Sequence, residues 1–254
     1  MQYDNSIALA FLKDTEITNE RYFYLLKGYK TPDIKRKDIV KELDYRLETI
    51  VNNFSIFNKQ LVNILFPDIE KDLHKFYVLA VVGTEQNYVI KNNDTTYLLI
   101  DLIHVANYTH IVSQMVYILQ NYLTLEITKY LITNKYPFTS DNYIDRLNYL
   151  SFTMGLSNYL AWNESCSDYV FYTTKYEPYK EQSFGLLAQA LEITESSLQK
   201  RVLKSVSVAQ FWNQFPIVAG MFYFDDIYRE KGYNGILEIY KKGPYNFIQN
   251  IFNK

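Results

Sequence analysis

The apolar run at residues 101–121, DLIHVANYTHIVSQMVYILQN, most constrains what this chain can fold into. Its apolar residues are spread around a helical projection, as expected of a helix buried on most of its surface. Asp101 follows an extended run and can cap the helix start, because its carboxylate can accept from the free N–H groups there. Residues three and four apart share a helix face, so we expect a polar stripe formed by Ala106, Asn107, His110 and Gln114.

The rest of the chain predicts a mainly α protein with a small β-sheet, an α+β fold. Residues 76–82 (FYVLAVV) are typical of a buried strand, and residues 86–91 and 96–100 flank an NND turn and predict a hairpin. Apolar residues three or four apart over residues 33–65 predict one long amphipathic helix or two joined end to end. We expect further helices over residues 19–29, 123–131, 141–172 with a possible kink at Gly155, 181–203 as one or two helices, 209–229, and 236–240 after a GYNG turn, with a last helix starting at Gly243-Pro244.

A sizeable hydrophobic core is available, because 48% of the residues are hydrophobic and 21% are charged. We find no internal repeat, low-complexity tract or linker. The simplest expectation is therefore one domain over residues 1–254. It would comprise a helical lead-in at residues 1–75, the strands and motif helix at residues 76–121, and a helical part at residues 122–254.

Composition and charge disfavour several classes of partner. The formal net charge is −2, from 26 Lys and Arg against 28 Asp and Glu, and no basic stripe suggests nucleic acid. No run approaches the roughly 20 apolar residues of a membrane span, so we expect no membrane partner. One cysteine, Cys166, excludes an intramolecular disulfide and is expected to be a buried inert thiol. Together with an N-terminal run unlike a signal peptide, this predicts a cytoplasmic protein. The oligomeric state stays open.

Two stretches, ANYTH at residues 106–110 and WNESCSDYV at residues 162–170, together resemble zinc metallopeptidases of the gluzincin type. In that family one helix supplies HExxH, whose two histidines bind zinc and whose glutamate activates water, and a later helix supplies a glutamate ligand. His110 matches the second histidine and Glu164 matches the later glutamate. The likeness extends to predicted zinc-dependent peptidases of bacteria and spans residues 76–254. It implies a zincin-like order of N-terminal helices, strand and hairpin, active-site-type helix and C-terminal helical bundle.

The sequence departs from that family at the residues that carry the chemistry. Ala106 has no ligand atom at the first histidine position, and Asn107 at the general-base position cannot act as a base. We therefore expect no catalytic residue and no cofactor. His110 and Glu164 would be a vestigial metal pair in a buried polar cluster without metal. The leading hypothesis is an inactive metallopeptidase-like protein, whose groove between the helices of His110 and Glu164 binds a peptide or a partner protein.

Two alternatives stay open. A divergent zinc-dependent hydrolase or peptidase would use His110, Glu164 and a third ligand such as His104 or Asp168. On a regular helix, however, His104 and His110 point about 240° apart. The other alternative is a helical interaction module with no metal site.

Further residues are candidates for the cleft of the metallopeptidase-like hypothesis. Tyr223 and Tyr228 either stabilise an oxyanion there or pack in the core, and core packing is expected because Phe222 and Phe224 are their neighbours. The complete set of cleft candidates is His104, Gln114, Asp168, Tyr223 and Tyr228.

Overall fold

The computed structural model of the chain describes residues 1–16, 30, 32–162 and 176–253. Its contacts form two compact units, which we call the sheet unit (residues 1–56 and 68–126) and the helical unit (residues 57–67 and 127–254). The expected mainly helical architecture with a small sheet is confirmed. One domain over residues 1–254 stays a prediction.

The sheet unit holds four described strands: β1 (Gln2–Asp4), β2 (Phe76–Val81), β3 (Tyr88–Asn92) and β4 (Thr95–Asp101). Their order in the sheet is β1-β2-β4-β3. β1 and β4 pair parallel to β2, and β3 pairs antiparallel to β4. The predicted buried strand and hairpin are confirmed as β2, β3 and β4. β1 was not predicted, because three residues are too few to show an alternating pattern.

Most of the described chain is helical. The helices are, in chain order, α1 (Ser6–Leu12), α2 (Lys37–Asn52), α3 (Lys59–Leu65), α4 (Ile69–Leu73), α5 (Leu102–Ala106), α6 (Val112–Lys135), α7 (Tyr143–Ala161), α8 (Tyr176–Leu191), α9 (Ser196–Val208), α10 (Phe215–Lys242) and α11 (Phe247–Phe252). Short 3₁₀ turns at Ile34–Arg36 and Phe211–Asn213 precede α2 and α10. In the described part of the chain, no helix combines the length and apolar character needed to cross a lipid bilayer.

The apolar pattern over residues 33–65 forms two helices, α2 and α3, which was one of the two predicted outcomes. Phe54 and Asn58 between them have positive φ, which a continuous right-handed helix does not allow. α2 packs against α1, α5, β1 and β2. Its buried side chains follow the predicted spacing and include Val40, Leu43, Leu47 and Ile50.

Polar side chains tie the N-terminal strand to α2. The Tyr3 hydroxyl donates to Oδ1 of Asp44 at 2.5 Å, and the Asn5 amide donates to Oδ2 at 2.9 Å. Burial, together with the hydrogen bond to Asp44, raises the pKa of Tyr3 well above its ordinary value. The nearly buried Asp44 carboxylate is thereby satisfied, as a buried charge must be.

In the helical unit, α7 and α10 pack closely at two glycines. A Cβ on Gly155 would lie 2.8 Å from the backbone of Gly220, and a Cβ on Gly220 would lie 1.9 Å from the Ser151 carbonyl oxygen. Only glycine permits backbones to approach this closely. The crossing therefore depends on two residues that carry no side chain.

The other helix predictions are mostly confirmed, with shifted ends. Residues 181–203 lie in two helices, α8 and α9, and the last helix follows Gly243-Pro244. The GYNG turn is a kink inside α10, where Gly232 has φ 60° and ψ −153°. α7 covers the described part of the 141–172 prediction, and the predicted helix at residues 19–29 lies outside the described residues.

Candidate functional site

The predicted continuous helix over residues 101–121 is wrong. α5 ends at Ala106 and α6 begins at Val112, so residues 107–111 form a loop. The Thr109 hydroxyl accepts from the Ile111 backbone N–H at 3.1 Å and donates to Gln114 Oε1 at 2.5 Å. Short polar side chains of this kind compete with helical hydrogen bonds by bonding to the nearby backbone. The expected polar stripe on one helix face therefore does not form.

The residues of that stripe have separate environments. Ala106 is buried, whereas Asn107, His110 and Gln114 are exposed. The expectation that His110 lies in a buried polar cluster is therefore wrong. The Asn107 side chain accepts a hydrogen bond from Arg36.

The partner proposed for His110 lies outside the described residues. Glu164, Cys166 and Asp168 lie outside the described residues, so the pairing of His110 with Glu164 stays a prediction. Within the described ranges, no group of three or more His, Cys, Asp or Glu residues could hold a metal ion.

The two tyrosine candidates lie in α10. Tyr223 is buried, with its ring centroid 5.4 Å from that of Phe247. Tyr228 is half-buried and packs beside Tyr159 and Tyr233 at centroid distances of 6.3 and 5.4 Å. These contacts agree with the expected core packing.

Asp101 organises a different site, at the carboxyl ends of β2 and β4. The Asp101 residue is buried, with 1% of its surface exposed. Oδ1 caps α5 by accepting from the backbone N–H groups of Ile103 and His104, at 2.9 and 3.1 Å. Oδ2 accepts from the backbone N–H groups of Thr84 and Glu85 and from the Thr84 hydroxyl, at 2.6, 2.9 and 3.0 Å. The predicted capping role of Asp101 is confirmed. Its hydrogen bonds to Thr84 and Glu85, in the loop after β2, were not predicted, and we call this set of bonds the clamp.

A cavity of about 550 Å³ opens beside this clamp, and we call it the sheet-edge cavity. Its walls come from Lys30 and residues 32–36, from residues 83–85 after β2, and from residues 101–107 at the end of β4 and in α5. The backbone N–H of Lys30 donates to the Gly83 carbonyl at 2.7 Å and joins two of these walls. In α/β sheets, ligands bind outside the carboxyl ends of parallel strands, which is where this cavity lies.

Charged and polar side chains face the sheet-edge cavity. Lys30 and Glu85 form an ion pair at 2.8 Å, with both side chains largely exposed. Nη2 of Arg36 donates to Oδ1 of Asn107 at 2.7 Å. His104, a predicted cleft residue, also lines the cavity, and its Nε2 lies 3.1 Å from the Tyr108 hydroxyl.

A second cavity, of about 190 Å³, lies in the helical unit beside Phe138, Tyr149 and Tyr245. It is smaller than the roughly 300–1,000 Å³ of most small-molecule sites. Its acidic residue, Asp145, already accepts a hydrogen bond from Ser140. The sheet-edge cavity is therefore the stronger candidate for a binding site.

Sequence reasoning missed Arg36 and Glu85. A signal existed, because Gly83 and Asp101 each end an expected strand. That signal could be used only if β2 and β4 were known to pair in parallel. The sequence does not show this pairing, because β3 lies between the two strands along the chain. Comparison of the chain with protein-family models, curated proteins and solved structures gave no match.

Proposed function

We propose that this protein is a non-catalytic binding protein that holds a small polar molecule in the sheet-edge cavity. The observation that carries the proposal is a space of about 550 Å³ at the carboxyl ends of two parallel strands, lined by charged and amide side chains. This volume falls within the range of small-molecule sites.

The walls of the cavity are held in place without a ligand. The single carboxylate of Asp101 fixes both the loop after β2 and the start of α5. Binding sites built on such cross-linked elements lose little conformational entropy when a ligand enters. This supports a preformed site.

The carboxylates that line the sheet-edge cavity already have hydrogen-bond or ion-pair partners, which supports binding without catalysis. Asp101 already accepts five hydrogen bonds, and Glu85 is paired with Lys30. A general base must be free to accept a proton from the substrate. Asp101 and Glu85 do not meet that condition. The third carboxylate of these walls, Asp33, is exposed to water and already accepts from the backbone N–H of Lys35 at 3.0 Å.

The proposal is compatible with an inactive metallopeptidase-like, zincin-like ancestry, which we retain as part of it. In its support, β2 and the β3–β4 hairpin come immediately before residues 106–110, the order that the resemblance implies. Loss of the first ligand at Ala106 and of the base at Asn107 leads to the same expectation, binding without hydrolysis.

A ligand-observed NMR screen of small polar molecules tests the proposal. The library should contain anionic, cationic and neutral compounds of similar size. We expect at least one compound to bind the protein and to lose binding in Ile103→Trp, whose larger side chain would fill the sheet-edge cavity. Ile64→Trp is the matched control, because Ile64 is a partly exposed residue of the helical unit that lines neither cavity.

Two results would contradict the proposal. One is a screen in which no compound binds. The other is a set of hits that bind Ile103→Trp and the unchanged protein equally well.

A further inference from the structure

Arg36 differs from the other charged residues of the sheet-edge cavity in its bonding partners. Within the described chain no carboxylate pairs with it, and its described side-chain hydrogen bond is to the neutral amide of Asn107. Its Nε is buried and has no acceptor among the described residues. A guanidinium group is always charged, so this cation lacks a counter-ion among the described residues.

The other charged side chains of the cavity already have hydrogen-bond or ion-pair partners within the described chain. Lys30 pairs with Glu85, Asp101 is saturated by N–H and O–H donors, and the exposed Asp33 accepts from the backbone N–H of Lys35 at 3.0 Å. An incoming anion can therefore bind the Arg36 guanidinium without displacing a described protein carboxylate from it.

We propose that the ligand of the sheet-edge cavity carries an oxyanion, a carboxylate or a phosphate, that binds to the guanidinium of Arg36. This inference rests on the proposed binding function and specifies the chemistry of its ligand. The planar guanidinium matches both oxyanions because two of its N–H groups can donate to two oxygens of one group. The Asn107 bond holds the guanidinium at the wall of the cavity before the ligand arrives.

The test uses succinate and inorganic phosphate as probes, with neutral succinamide as the isosteric control, all at constant ionic strength. The ¹⁵N-resolved Nε–H signal of Arg36 reports binding at the atom concerned. We expect succinate or phosphate to shift this signal at millimolar concentrations and succinamide to leave it in place. Comparison of the two anions distinguishes a carboxylate ligand from a phosphate ligand.

Three variants sharpen the test. Arg36→Lys keeps the charge but loses the planar pair of donors, so we expect affinity to fall at least about tenfold. Asn107→Asp supplies the missing carboxylate within the chain, so it should abolish probe binding without lowering the melting temperature. Arg46→Gln is the matched control, because Arg46 lies on α2, pairs with Glu42 and does not line the cavity. It should change affinity less than twofold.

The inference is overturned if neither anion moves the Arg36 signal, if succinamide binds as well as succinate, or if Asn107→Asp binds like the unchanged protein. These results leave the broader binding function standing if neutral or cationic compounds bind in a manner that Ile103→Trp removes. Failure of every compound in the screen would overturn both.

Discussion

Asp101 and Thr84 are joined by two hydrogen bonds to the same carboxylate oxygen. Oδ2 of Asp101 accepts from the Thr84 backbone N–H at 2.6 Å and from the Thr84 hydroxyl at 3.0 Å. The other oxygen caps α5. One buried side chain therefore connects the ends of two parallel strands and also starts the helix that lines the sheet-edge cavity.

We expect Asp101→Ala to lower the free energy of unfolding by at least about 3 kcal/mol, because it leaves several buried N–H groups without an acceptor. Asp101→Asn should cost less but still destabilise, since its amide NH₂ would face N–H donors on one side. Urea unfolding followed by circular dichroism measures both changes. Asp94→Ala, at an exposed position in the hairpin turn, is the control and should change stability by less than about 0.5 kcal/mol. If Asp101→Ala proved as mild as Asp94→Ala, the clamp would not stabilise the fold.

The glycines of the helical unit should respond very differently to the same added methyl group. Gly220→Ala places a Cβ 1.9 Å from the Ser151 carbonyl oxygen, so α7 and α10 must separate. We expect a loss of more than about 3 kcal/mol, or failure to fold. Gly185→Ala, in α8, meets nothing within 4 Å and should stabilise by roughly 0.5–1 kcal/mol through helix propensity. Thermal melts that rank the two variants in the opposite order would exclude this close crossing.

The spacing of apolar residues in the sequence, which reflects local burial, was sufficient to predict most of the helices and strands. The buried side chains of α2 recur every three or four residues, and the β2 run is apolar because nearly all of its side chains, on both faces of the sheet, are buried. The break in the middle of residues 101–121 could not be found in this way, because it depends on the side-chain hydrogen bonds of Thr109. Apolar periodicity does not record such local competition.

The candidate site was less predictable than the fold, because its residues are distant in sequence. Arg36 and Asn107 meet only because residues 32–36 and 101–107 both lie at the carboxyl ends of the parallel strands. Sequence patterns alone identified Asp101 as a cap. They offered His104 only for the cleft of the metallopeptidase-like hypothesis, and that assignment stays a prediction. Parallel strand pairing, which brings these segments together, leaves no short-range signal.

Alkaline pH should destabilise the protein in part through Tyr223. Burial, with smaller contributions from Glu230 and Asp226, raises the pKa of Tyr223 to about 12. The ordinary value is about 10, so the unfolded chain releases this proton more readily than the folded chain. The contribution of the protonated Tyr223 hydroxyl to the free energy of unfolding is fully present below pH 10. It is lost as the pH rises from about 10 to 12, by up to about 1.4 kcal/mol per pH unit.

Chemical denaturation at a series of alkaline pH values measures this effect. Tyr223→Phe should flatten the fall in stability between pH 10 and 12, whereas Tyr245→Phe, at a 77% exposed position, should leave the slope unchanged. Equal slopes for the two variants would show that Tyr223 releases its proton equally easily in the folded and unfolded chains.

His110 provides the test of the metal hypothesis. Because its side chain is exposed in the loop between α5 and α6, His110→Ala should change the free energy of unfolding by less than about 0.5 kcal/mol. Protein purified without a histidine tag should contain no stoichiometric zinc by elemental analysis. Stoichiometric zinc that is lost in His110→Ala would support the divergent hydrolase instead.

Restoring the family motif is the stricter experiment. The double variant Ala106→His plus Asn107→Glu recreates the residue types of HExxH, but residues 107–111 lie outside the helix. Two histidines bind one zinc ion in that motif only when four residues of regular helix bring them to one face. We therefore expect no zinc binding by calorimetry. Tight binding would show that this loop can become helical around a metal, and would strongly support descent from a zinc peptidase.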